Sequence, residues 1–229
     1  MTIKGNNIVY TTNNVLDQAE KAVGMFLNGF NKTKYINIED PGATTKFCNA
    51  FEDMLSISMK THQKNIVFVC IGTDRSTGDS FGPLIGYKLK NLRYSNVHVF
   101  GTLDTPVHAK NLDEVLEKIK ATIDAPFIIA VDACLGKMES VGFVTVGPGP
   151  IKPGSGVKKE LTPVGDMNVT GIVNFGGFMD FLVLQNTRLS LVMKMSDIVA
   201  SGVKSVLFKM SESTLKSLDS GSFDSADLM

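Results

Sequence analysis

Residues 65–83 read NIVFVCIGTDRSTGDSFGP: a buried strand, a polar loop and the start of a helix. Ile66 to Ile71 form one unbroken apolar run. Such a run fits a strand covered on both faces, as in a parallel sheet. The loop from Gly72 to Ser80 then gathers Asp74, Arg75, Asp79, Gly78 and four hydroxyl residues. Phe81–Gly82–Pro83 opens a helical pattern that continues through Leu84, Ile85, Leu89 and Leu92. Open α/β sheets bind their ligands at loops of this kind, beyond the carboxyl ends of parallel strands.

The rest of the chain extends that unit. Strands are predicted at 35–38, 65–71, 97–100, 127–131 and 142–146, the fourth ending at Asp132, and helices at 43–59, 82–92 and 112–123. Residues 147–157, GPGPIKPGSGV, carry too many breakers for a regular element. Beyond them the pattern reads as a helix over 173–184, a strand over 189–193, and a helix from Ser196 or Asp197 to Phe208. The βα alternation predicts an α/β fold of three layers, with a mostly parallel central sheet flanked by helices. Residues 1–34 are expected to form an N-terminal helical segment packed on the core, its helix running from Asn14 to Phe30. Residues 35–210 are expected to be one α/β domain, and 211–229 a flexible Ser/Asp-rich tail.

Composition narrows the function classes. Lys plus Arg and Asp plus Glu both number 23, so the chain lacks the basic excess of a general nucleic-acid binder. Cys48, Cys70 and Cys134 are too few and too scattered for a disulfide framework or a zinc site. The N-terminal residues lack the apolar core of a signal peptide, and no apolar run approaches the ~20 residues a membrane span needs. A cytoplasmic setting is expected, with no membrane partner.

Asp79 and Asp132 are the candidate catalytic pair. Each follows a predicted buried strand, and adjacent strands would face both carboxylates into one crevice. Asp79 stands at a helix start, where the dipole favours the ionised form; Asp132 follows apolar residues that favour the protonated one. Carboxyls separated in this way serve as base and acid on one substrate. The competing reading makes Asp79 a helix cap and Asp132 a strand-ending turn residue. Asp74 is a candidate substrate contact and Arg75 shapes the loop, while Asp104 follows another strand. A metal reading joins Asp79, Asp132 and His108, against a surface His at a helix start. With no HxxxH or HxH spacing, no metal or other cofactor is expected. The glycines of 147–157 with Lys158 and Lys159 suit an anion, but neither GxxxxGK[ST] nor GxGxxG occurs. GxSxG is absent too, and Cys134 reads as a small buried apolar residue rather than a nucleophile.

Four segments, GTDRSTGDSFGP (72–83), VDACLG (131–136), PGSGVKKEL (153–161) and RLSLVMKMSDIVASGV (188–203), together resemble the sporulation protein YyaC family. The resemblance runs from about Tyr35 to Phe208. That family is similar to the spore germination protease, which degrades small acid-soluble spore proteins, and more distantly to the hydrogenase maturation endopeptidases. The resemblance implies a phosphorylase/hydrolase-like fold. It also implies catalytic roles for Asp79 in GDSFGP and Asp132 in VDAC. In the hydrogenase endopeptidases acids at these two places bind nickel with a later His; the matching segment here, GDMNVTG (165–171), has none. The resemblance therefore implies a metal-free aspartate dyad.

The expected function is an aspartate-dependent endopeptidase associated with sporulation, located in the spore or forespore. Its substrate is expected to be a protein or peptide, with small acid-soluble spore proteins as candidates. Gly154, Ser155 and Gly156 would join Asp74 in holding the substrate backbone. The alternatives are a catalytically inactive binding protein of the same fold and, more weakly, a metal-dependent hydrolase.

Overall fold

The computed structural model describes residues 32–153, 162–177 and 179–220, with side chains through 212. The chain divides into two units, Met1–Lys32 and Thr33–Met229; the fold that follows is that of the second. The expected helix from Asn14 to Phe30 and the segment Gly154–Gly156 lie outside the described residues.

Six strands form one sheet: β1 (Lys34–Asn37), β2 (Asn65–Cys70), β3 (Val97–Phe100), β4 (Pro126–Gly136), β5 (Phe143–Pro148) and β6 (Met167–Phe175), in the order β1-β5-β6-β4-β2-β3. The β6–β4, β4–β2 and β2–β3 pairs are parallel, and β5 runs antiparallel to both of its neighbours. The mostly parallel α/β architecture expected from the sequence is therefore observed.

Strand alternation assigns each residue of the apolar run to a layer. Ile66, Phe68 and Cys70 of β2 enter the larger core, with Phe127, Ile129 and Val131 of β4. This core is closed by α1 (Ala43–Ser58), α2 (Phe81–Leu89) and α5 (Leu189–Ser220). Val67, Val69 and Ile71 point the other way, onto α3 (Leu112–Thr122) through Leu112, Leu116 and Ile119. α1 qualifies as a covering helix because Phe47, Ala50, Phe51, Met54 and Leu55 share one face. Phe51 stacks between Phe47 and Phe68, with ring centroids 5.6 and 6.4 Å away. Gly202 of α5 lies under Phe47, and a Cβ there would collide with the ring, so glycine sets how closely α1 and α5 approach.

The structure departs from the expected elements in the second half. Residues 189–193 are not a strand: α5 is one helix from Leu189 to Ser220. Val192, Met195, Val199, Ala200, Val203, Val206 and Leu207 form its buried stripe. Ser196, which resembled a cap, is fully buried within that helix, its hydroxyl donating to the Met193 carbonyl at 2.8 Å. The helix also takes in residues 211–220 of the expected tail. Residues 167–175 form β6, to which no strand had been assigned; it takes the first residues of the helix expected over 173–184, and of that helix the structure keeps the short α4 (Asp180–Gln185). β4 does not end at Asp132 but continues to Gly136. No helix among the described residues is long and apolar enough to cross a membrane.

Phe51 is fully buried and Phe181, on α4, is 58% exposed. Phe51→Ala is expected to cost about 3–5 kcal/mol in urea unfolding, and Phe181→Ala less than about 0.5 kcal/mol. Equal losses would contradict this assignment of the core.

Candidate active site

β2 stops at Cys70 while its neighbour β4 runs on to Gly136. At this step the Ile71 N–H donates to the Val131 carbonyl at 2.7 Å, leaving Asp132 just beyond the end of β2. On the opposite side Ile71 bridges to Val107, and the Gly72 N–H donates to the Val107 carbonyl at 2.8 Å. The loop then folds back, with the Thr73 N–H donating to the Asp79 main-chain carbonyl at 3.1 Å. Gly72 has φ +137°, and a Cβ there would strike that same Asp79 carbonyl, so the fold-back requires glycine. The return leg is a 3₁₀ turn, Gly78–Ser80, fixed by the Ser80 hydroxyl donating to the Thr77 carbonyl at 2.6 Å. α4 packs on this turn through Leu184, which together with Thr187 lies against Gly78. The two aspartates singled out in the sequence are thus carried to the same end of adjacent strands.

The cap positions of the 3₁₀ turn and of α2 are Thr77 and Ser80 rather than Asp79, and neither makes a side-chain capping bond. Asp132 is 7% exposed, and its Oδ1 accepts the Ala133 N–H at 2.8 Å. Asp132 faces a polar row across the sheet, opposite Thr170 of β6, which is opposite Thr145 of β5. The two threonine hydroxyls are 2.6 Å apart, and the Cys134 thiol lies 3.7 Å from Thr170 Oγ1.

The electrostatics separate the two acids. Burial pushes Asp132 well above the usual carboxylate range; the neighbouring Asp79 charge pushes it further, against the pull of the Ala133 N–H. Burial also raises Asp79, but the Thr73 N–H and His108 oppose it. The ionised form expected for Asp79 from the helix start is therefore overridden in part by desolvation. Burial likewise raises the Cys134 thiol, so it lacks the activated thiolate of a cysteine nucleophile.

The remaining candidates separate by position. Asp74 and Arg75 are exposed. Asp104 is engaged in an exposed 2.8 Å salt bridge with Lys90. Gly154, Ser155 and Gly156 lie outside the described residues. Among the described residues no three His, Cys, Asp or Glu side chains are grouped to hold a metal ion, so Asp79, Asp132 and His108 do not fit the nickel that the resemblance brings to mind. His108 is not the surface residue expected: its Nδ1 is buried with no hydrogen-bond partner. Ser76 Oγ, in the Asp79 loop, is the other such atom among the described residues. Thr145 and Thr170 were missed by the sequence reading. For Thr170 the signal was the short alternation Met167-Asn168-Val169-Thr170, apolar then polar.

The family described as "Protein of unknown function (DUF1256)" matches residues 35–202. The chain is 49% identical over 181 residues to the uncharacterized protein YyaC of Bacillus subtilis (strain 168), covering 79% of this chain and 86% of that one. It belongs to this family. The family match includes both Asp79 and Asp132. Among solved structures, the hydrogenase maturation protease HycI from Thermococcus kodakarensis KOD1 is similar over 68% of this chain and 97% of its own. The TM-score there is 0.46 and the identity 18%.

The raised acids set a pH dependence of stability. A carboxyl whose value is higher folded than unfolded binds more protons in the native state, so stability falls as pH rises. The contribution is complete below the unfolded value of about 3.9 and is lost as pH climbs through the folded values of Asp79 and Asp132. Asn at 132 retains an acceptor for the Ala133 N–H and carries no charge. Asp132→Asn is therefore expected to raise the melting temperature, more at pH 8 than at pH 4. A variant less stable than wild type at pH 8 would contradict the burial of a carboxyl at cost.

Proposed function

We propose that this protein is an aspartate-dependent endopeptidase. What supports the reading is the placement of Asp79, in the turn of the loop after β2, and of the more deeply buried Asp132, on β4 just past the end of β2, with the Asp79 charge acting to raise Asp132. In this reaction Asp79, as the carboxylate, takes a proton from water while the water oxygen bonds to the scissile carbonyl carbon. Asp132 is the acid. It gives its proton to the amide nitrogen as the C–N bond breaks, yielding a carboxylic acid and an amine. Asp79 then returns its proton through solvent and Asp132 is reprotonated. The roles follow from environment, since the deeper carboxyl is the better proton reservoir at neutral pH.

The choice of a peptide bond rests on the motif resemblance to the spore germination protease at GDSFGP and VDAC. It points to proteins of the developing spore as substrates, small acid-soluble spore proteins first among them, and to action in the forespore or spore. Asp74, exposed on the same loop as Asp79, is suited to meet the substrate at the mouth of the crevice. Gly154, Ser155 and Gly156 are assigned to the substrate backbone on the resemblance of PGSGV alone.

Purified wild-type protein, incubated with small acid-soluble spore proteins, is expected to cut them at discrete positions. Asp79→Asn and Asp132→Asn should each slow cleavage by at least about 100-fold without lowering the melting temperature. Binding of spore proteins that leaves them intact, unchanged by either substitution, would instead mark an inactive binding protein and refute the enzyme.

A further inference from the structure

His108 was set aside in the sequence as a surface residue, and the active-site reaction above makes no use of it. Its surroundings give it a place in the site. The Val107 carbonyl accepts the Gly72 N–H at 2.8 Å, and the Asp79 main-chain carbonyl accepts the Thr73 N–H at 3.1 Å. The residue before His108 and the residue that bears the base are therefore pinned to consecutive peptide units. The loop that holds His108 is itself locked. Asn111 Oδ1 accepts the His108 N–H at 2.8 Å, and Asn111 Nδ2 donates to the Pro106 carbonyl at 3.1 Å. The His108 carbonyl accepts the N–H groups of Asn111 and Leu112, each at 3.0 Å. Every main-chain polar group of His108 is thus engaged, whereas the ring atom Nδ1 is buried and unpartnered. A buried polar atom without a partner calls for a role.

We infer that His108 is a positioning residue of the dyad, its imidazole fixing Asp79 as the carboxylate and so leaving Asp132 as the acid. The inference rests on the endopeptidase reading for its catalytic consequence but not for its electrostatic one. The charged groups that act on this pair come from three elements: Asp79 from the 3₁₀ turn, Asp132 from β4, and His108 from the loop after β3. α4 meets the turn at Gly78 with Leu184, which bears no charge, and Thr187 beside it is also neutral. Asp74 and Arg75 stand exposed on the loop itself. His108 is thus the side chain that opposes the desolvation of Asp79, the direction in which it acts. Without it, both carboxyls would favour protonation and the site would lose its base.

The experiment reads the Asp79 carboxyl directly, by carbon NMR titration of the full-length chain with His108→Gln and His108→Lys variants. His108→Gln should move the Asp79 midpoint to higher pH, and His108→Lys, which supplies a cation, should move it back. Where cleavage is measurable, the acid limb of the rate profile should move with the midpoint. An Asp79 midpoint unchanged in His108→Gln overturns the inference, as does an upward shift that the lysine does not reverse. A shift with reversal in a protein that cuts no peptide supports the coupling and refutes the endopeptidase reading, so the two fail separately.

Discussion

The structure depends on an inequality between two paired strands. β2 and β4 run parallel in register from Asn65 and Pro126, yet β2 ends at Cys70, its sixth residue, while β4 continues to Gly136. Where β2 stops, β4 loses its neighbour on that side, and Asp132 occupies the first position past the last shared hydrogen bond. The chain leaving β2 must turn sharply there. Gly72 permits the turn, and the loop returns Asp79 to the same edge. The strands are held rigidly because both faces are buried, by α1, α2 and α5 on one side and α3 on the other. A site built at the end of such a pair inherits its precision from the core.

The same arrangement explains why the site costs stability. A carboxyl as buried as Asp132 would be replaced by an apolar or neutral residue if packing alone were selected, since desolvation disfavours its charge. The neighbouring Thr145–Thr170 hydroxyl pair does not neutralise it, and Asp79 makes matters worse by repulsion. Groups held against their electrostatic preference beside a crevice are the pattern of functional sites. The polar row of β6 fits the same account: Val169 and Val173 serve the core, while Thr170 and Asn168 on the opposite face are its polar side.

Much of this was legible in the sequence, for reasons that differ by element. β2 and the Asp79 loop stood out because an apolar run bounded by glycine and acids has few other readings. α1 and α3 stood out by helical spacing. β6 was hidden because its second face is occupied by Asn168, Thr170 and Asn174, so it lacks the apolar density of a buried strand. The start of α5 was hidden because Leu189, Leu191, Val192 and Met193 crowd a short stretch that reads as well as a strand, whereas in the fold the helix they begin packs against α1 and α2. Asp79 and Asp132 were visible as acids after strands, but their closeness depended on β2 and β4 being adjacent, which no local pattern encodes. His108 was misjudged because a single histidine carries no spacing signal; its burial comes from the pairing of Val107 with Ile71.

The central claim is that two neighbouring carboxyls are held in different protonation states, the deeper one as the acid. It is tested most directly by following the carboxyl carbons of Asp79 and Asp132 in the wild-type protein by NMR across pH. The account predicts that both titrate above the ordinary value of about 3.9, with Asp132 the higher of the two and still protonated where Asp79 has ionised. Asp132 titrating at or below Asp79, or both at the ordinary value and independent of each other, would contradict it.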